Sequence, residues 1–227
     1  MLYDFLINKI EGKKLILIGE LHGTKEIPEI ISEFFSKFAI GKDFNLCLEI
    51  PSIEQANLNK FLETGRENLL KSMNFFKQTK NSDGRNSIEY LNLIKNIYNL
   101  NKKHNKEIKV YCIDISEVDS KRNVQEQREE KIAENIIKLL SNKVTFVIIG
   151  NIHASKNVVK FDNFSFKTSG KIIFDKIGSN LLSINIWPKS GEFFNFSIKR
   201  VEEYKDMEKN YDFTYLIDEV VPATYIK

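Results

Sequence analysis

The sequence is short of the residues that staple, stiffen or span. Its only cysteines, Cys47 and Cys112, make no disulfide framework. Both sit inside apolar runs, which points to a reducing compartment. Ten glycines and four prolines in 227 residues exclude a collagen-like or linker-like chain. No window approaches the roughly 20 apolar residues that cross a bilayer. The opening MLYDFLINKIEGKK carries charges at Asp4, Lys9 and Glu11 and has no small-residue cleavage site, unlike a signal peptide. A cytoplasmic chain without a membrane span is therefore expected. An excess of one charge is also missing: 34 Lys+Arg against 31 Asp+Glu leave a net +3. That does not supply the concentrated basic face of a nucleic-acid binder. What remains is a globular composition, 42% hydrophobic and 29% charged. At this length it suggests one domain over residues 1–227.

Four short apolar runs stand out: Leu15–Ile18, Leu46–Leu48, Val110–Ile113 and Val144–Ile149. Runs apolar at nearly every position read as strands buried on both faces, as in a parallel sheet covered by helices. Helical patterns lie between them. Ile30, Ile31, Phe34, Phe35 and Phe38 follow Pro28 at steps of three and four. A second helix is expected after Ser52, with Gln55 as its capping-box partner. A third spans about Ser87 to Leu100, and a fourth about Val124 to Leu140. Leu181–Trp187 and Phe193–Ile198 alternate apolar and polar around Pro188–Glu192, the pattern of an antiparallel hairpin. Tyr215–Ile217 reads as a last strand. The expected fold is α/β: a central mixed, largely parallel sheet flanked by helices, with a C-terminal antiparallel hairpin. The polar stretch Thr64–Arg85, with its apolar island Met73, Phe75 and Phe76, reads as a lid or a surface helix.

Each of the four buried runs ends in chemically capable residues: Glu20 and His22, Glu49, Asp114, and His153. Open α/β sheets bind ligands at the carboxyl ends of their strands, where loops and helix N-termini converge. His22 and His153 share a Gly-x-x-His spacing, from Gly19 and Gly150. The third histidine, His104, sits in a solvated Asn/Lys-rich stretch. Two imidazoles with Glu20, Glu26 and Glu49 can bind a divalent metal or work as acid and base. A mixed His/carboxylate shell suits Mn, Zn or Fe, and the residues do not choose between them. Cys47 and Cys112 each precede a carboxylate by two residues, but core packing is the better reading of a strand cysteine.

Leu17-Ile18-Gly19-Glu20-Leu21-His22-Gly23-Thr24-Lys25-Glu26 resembles the opening motif of the erythromycin esterase-like proteins and of the related haem-uptake (ChaN) and Tiki-type proteins. Glu49 stands at that superfamily's strand-end glutamate. Arg128–Ile136 is similar to its Arg-Asp-x-x-Met-Ala-Glu-Asn helix, and Gly150-Asn151-Ile152-His153 to its second histidine motif. Tyr211-Asp212-Phe213 with Pro222-Ala223-Thr224 looks like the closing strand. The resemblance implies an α/β domain with one polar pocket and a small-molecule substrate or ligand.

The resulting expectation is a small hydrolase of ester or amide bonds, metal-dependent, with Glu20, His22, Glu49, His153 and Arg128 catalytic. His22, Glu49 and His153 would be the metal ligands. Arg128 would pair a carboxylate or stabilise an oxyanion, and Arg85, in a polar turn, is the weaker candidate for that work. The alternative is a haem- or small-ligand-binding protein without catalysis, in which His22 or His153 is an axial ligand.

Overall fold

The computed structural model describes residues 1–77, 82–117, 119, 123–161, 164–203 and 209–226. Its strands are β1 (Leu15–Glu20), β2 (Phe44–Pro51), β3 (Lys109–Asp114), β4 (Val144–Gly150), β5 (Val158–Phe161), β6 (Phe164–Lys167), β7 (Leu181–Asn195), β8 (Ser197–Arg200) and β9 (Phe213–Val220). The helices are α1 (Leu2–Leu6), α2 (Glu26–Gly41), α3 (Gln55–Thr64), α4 (Glu67–Lys71), α5 (Asn74–Lys77), α6 (Ile88–His104), α7 (Val124–Lys138), α8 (Asn151–Ala154) and α9 (Ser169–Ile177). The central sheet runs β3-β2-β4-β1-β7-β8, with β9 paired to β7, while β5 and β6 form a separate antiparallel pair. The β1–β4, β2–β4, β2–β3, β1–β7 and β7–β9 pairings are parallel, and β7–β8 is antiparallel. This is the expected mixed, largely parallel α/β sheet.

The run of buried positions in β1 serves two cores at once. Ile16 and Ile18 join Phe34, Phe35, Phe38, Phe44 and Phe146 on one face. Leu15 and Leu17 join Ile132, Ile136, Val147, Ile149 and Ile173 on the other. The first face is aromatic: Phe35 stacks on Phe44 with ring centroids 5.0 Å apart, and Phe38 meets Phe146 edge-on at 5.0 Å. Because the strands are parallel, Glu20 lies beside Gly150 and Pro51 beside Asp114, so all four strand ends gather at one edge.

Several local expectations change. The antiparallel hairpin exists, but residues 181–195 form one strand and the turn falls at Asn195-Phe196-Ser197. The Ser52 capping box does not form. Ser52–Glu54 is a single 3₁₀ turn, and Gln55 reaches across to β3 instead. Helix α6 is capped by Ser87, which accepts the Tyr90 N–H, and α7 by Asn123, which accepts those of Gln125 and Glu126. In the stretch read as a lid or surface helix, Leu70, Met73 and Phe76 are core residues, and residues 78–81 lie outside the described ones. Among the described residues no helix is long and apolar enough to cross a membrane.

Candidate functional site

Two imidazoles, each held by its own buried glutamate, face a third glutamate between them. At the end of β1, Glu20 Oε1 lies 3.0 Å from His22 Nδ1. At the start of α8, His153 Nδ1 lies 2.7 Å from Oε1 of Glu129, which projects from α7. The opposite nitrogens turn to Glu49 at the end of β2. His22 Nε2 is 3.6 Å from its Oε2, and His153 Nε2 is 3.5 Å from its Oε1. The structure thus brings Glu20, His22, Glu49 and His153 together from the ends of β1 and β2 and from the short helix that follows β4. Glu26 is elsewhere, accepting the Val221 N–H at the start of α2.

Gly150 makes the meeting sterically possible. A Cβ there would stand 2.7 Å from His22 Nε2 and 3.3 Å from His153 Cδ2. Gly19 performs the matching service for α8, since its Cβ would meet that of Ala154 at 2.9 Å. Room, not a sharp turn, is why each glycine precedes its histidine; neither has positive φ. Gly150→Ala is expected to fold, because the atom it strikes is a side-chain tip, while displacing His22 from Glu49. Thermal melting should show a loss within about 3 kcal/mol, and the imidazole NMR signals of His22 should shift. An unshifted spectrum would mean that the two histidines do not share this space.

Two arginines close the site. Arg128 donates from Nε and Nη2 to Asp114 (2.9 and 2.7 Å), from Nη2 to Glu49 Oε1 (2.5 Å), and from Nη1 to His153 Nε2 (3.1 Å). Arg85 grips Asp83 in a fork through Nε and Nη2, and its Nη1 reaches the Glu49 carbonyl oxygen (2.5 Å) and Oε1 (3.0 Å). The other Glu49 oxygen accepts the Gly150 N–H at 2.6 Å. Burial alone would raise the Glu49 pKa, but Arg85, His153 and His22 together hold it well below the usual carboxylate range. Burial likewise works against charge on Glu129, and the bonds from His153 and Ser169 still keep its pKa low.

Burial and Arg85 disfavour the His22 imidazolium, yet Glu20 and Glu49 outweigh them and push its pKa up to about 9. A guanidinium can only donate, so the Arg128 contact suits the His153 tautomer that accepts at Nε2 and carries its proton on Nδ1, facing Glu129. Glu129 is not among the expected site residues, although it stands at the acidic position after the arginine in the motif that Arg128–Ile136 resembles. In the structure it is completely buried, with Gln125 and Ser169 completing its bonds. Arg85 is as central as Arg128, despite its polar turn. Tyr90 also belongs here: it is buried near Glu20 and Arg85, and its hydroxyl has no partner among the described residues. Cys47 and Cys112 are free, buried thiols, the latter pushed up to about 12 by desolvation and Glu54. They are packing residues.

No protein-family model matches the chain, and no curated protein sequence does. Solved structures do. A Bacillus cereus protein superimposes with a TM-score of 0.73 at 13% identity, over 98% of this chain and 92% of that one. An erythromycin esterase in its open conformation gives 0.61 at 8% identity, over 88% and 78%. The ChaN protein of Campylobacter jejuni, solved with cofacial haem, gives 0.56 at 14% identity, over 99% and 91%. The chain therefore shares the fold of an esterase and of a haem-binding protein, as the motifs implied.

The expected metal does not fit the donor set. Both Glu49 oxygens are engaged, His153 Nε2 faces a guanidinium, and His22 carries two protons between carboxylates. Among the described residues no group of three or more His, Cys, Asp or Glu is arranged to hold an ion. Arg85 and Arg128 stand where a cation would.

Proposed function

We propose that this chain is a hydrolase of an ester or amide bond in a small-molecule substrate, working by general acid–base catalysis at the paired histidines. One observation carries the reading: two imidazoles share one site, each oriented through Nδ1 by a separate buried glutamate and turning Nε2 toward Glu49. Titratable groups whose environments set them apart mark the acid and the base. His153 presents a neutral Nε2 and is the base that takes a proton from water, while Glu129 stabilises the imidazolium that forms. His22 is the acid that returns a proton to the leaving group. Arg128 Nη1, turned from His153 to the substrate, donates to the oxyanion as charge develops. Glu49 holds both imidazoles and both guanidiniums in register. No step runs through a metal.

The test is hydrolysis of p-nitrophenyl esters and anilides by wild type, His153→Gln and Glu129→Gln, with and without EDTA. General acid–base catalysis contributes typically about 10²–10⁴-fold. His153→Gln should lose at least a hundredfold in kcat, and EDTA should change nothing. A wild type inert on both substrate classes, or a His153→Gln enzyme of undiminished rate, would remove the proposal.

A further inference from the structure

We propose that the free edge of β3 is a docking channel for an extended polypeptide, which joins the sheet as a further strand in the place now held by the Gln55 side chain. β3 ends the sheet, with β2 on one side and, among the described residues, no strand on the other. Residues of one parity in an edge strand turn their N–H and C=O groups outward. On β3 these include Val110 and Cys112. The Gln55 amide meets both: its Nε2 donates to the Val110 oxygen at 2.9 Å, and its Oε1 accepts the Cys112 N–H at 2.7 Å. One carboxamide thus supplies the donor and acceptor that a neighbouring strand would supply from its backbone. Asn101 repeats the device at Ile108, accepting its N–H at 2.8 Å and donating to its oxygen at 3.1 Å.

A guard against chance pairing would fill the edge, and this one leaves it open on either side. A cavity of about 950 Å³ lies against Tyr111, Cys112, Ile115 and the α7 flank, and one of about 660 Å³ lies against residues 105–111. Gln55 and Tyr111 line both, so the two cavities flank the Gln55 amide along the β3 edge. Each is the size of a ligand pocket, which runs to roughly 300–1,000 Å³. The larger is walled by Ser52, Ser116 and Gln127, next to Asp114 and Arg128, so an added strand leads toward the candidate site. Its walls are mixed. Ile53 is 74% exposed at the rim, and Lys131 and Lys138 share Glu134 at 3.3 and 3.9 Å. Neither a charged nor a greasy ligand is favoured over one recognised through its backbone. The carboxamide chemistry at Val110 and Cys112 selects a peptide.

The inference concerns binding and stands apart from the hydrolase reading, so its test measures no turnover. The probe is a fluorescein-labelled peptide of alternating valine and threonine with lysines at its ends. Its control is the same peptide N-methylated on every amide between the lysines, which has no N–H to donate along either edge. Anisotropy should show wild type binding the plain peptide at least tenfold more tightly than the methylated one. Gln55→Ala should tighten binding at least threefold, because no amide has to be displaced. In that variant, exchange of the Cys112 N–H should be fast alone and slowed by the plain peptide. Equal binding of the two peptides, no binding, weaker binding by Gln55→Ala, or an unprotected Cys112 N–H would each overturn the proposal. If Gln55→Ala does not fold, the comparison of the two peptides on wild type decides alone.

Discussion

Replacing Arg128 with alanine is expected to cost about 3–5 kcal/mol of stability and to create a metal site that the wild type lacks. The cost follows from what the side chain touches. Its guanidinium bridges Asp114 and Glu49, two carboxylates brought together by neighbouring strand ends, and Glu49 is almost wholly buried. Removing one partner of a buried ion pair strands the other, at about the cost stated. For a chain of this length each kcal/mol moves Tm by roughly 2–4 °C, so a fall of about 6–20 °C is expected. The gain follows from the same geometry. Without the Arg128 guanidinium, Asp114 and His153 Nε2 are freed beside Glu49, which Arg85 and the Gly150 N–H still hold, leaving a carboxylate–imidazole set of the kind that binds Zn or Mn. An ion bound only to the native state stabilises it by mass action, about 2.7 kcal/mol at a hundredfold excess over its Kd. Melting each protein with Zn, Mn and EDTA checks both halves. Zn should restore part of the Tm of Arg128→Ala and leave wild type unmoved. The reverse pattern would show that the wild-type residues bind the ion and that the arginines do not replace it.

That prediction reverses the one the sequence alone suggests. Glu20, Glu26, Glu49 and Asp114, following strand after strand, read as crowded like charge awaiting a cation, yet the cations at Glu49 and Asp114 are covalent parts of the chain, delivered from α7 and from the turn before α6. Strand ends were legible because a doubly buried strand announces itself as an unbroken apolar run, and the first polar residue after it marks the edge. Glu20, His22, Glu49, Asp114 and His153 all fall there. Groups that reach the site from helices and turns carry no such mark. Glu129 sits in a charged helix whose periodicity gives it no distinction from Glu126 or Glu130, and only its place after Arg128 in the motif marks it. Arg85 lies in a turn that any solvent-exposed loop could match. The hairpin misled for a related reason. Pro188–Glu192 has turn composition, but Gly191 is needed because Val220 of β9 crosses so closely that a Cβ would lie 2.0 Å from its oxygen. The real turn uses Phe196 at φ +58°, a residue with no turn signature. Composition reports what a backbone tolerates, and tertiary contact decides where that tolerance is used.

Stability is expected to fall as pH rises from about 6.5 to 8.5, a window in which most proteins change little, and His22 is the cause. In the unfolded chain a histidine titrates near 6.5. In the fold, Glu20 and Glu49 overcome burial and Arg85 and push it up to about 9. Between those values the native state holds a proton that the unfolded state has released, so each step upward in pH favours unfolding. The contribution is complete below pH 6.5 and disappears as pH passes 9. Over the two units to pH 8.5 the loss comes to about 2 kcal/mol. Cys47 and Cys112 act in the same direction, since burial raises both thiols, but only above about pH 8.5, where an unfolded thiol ionises. The acid side has the opposite sign. Glu49, Asp83 and Glu129 are held below their ordinary values, so their stabilisation is present above about pH 4.3 and fades as pH falls further. Urea unfolding of wild type and His22→Gln at pH 6.5, 7.5 and 8.5 separates these contributions. The variant should be weaker at pH 6.5 and flat across the window, converging on wild type at the upper end. A wild-type curve that is flat or rising over the same range would mean that His22 is neutral in the fold, and the acid in the proposed reaction would have to be sought elsewhere.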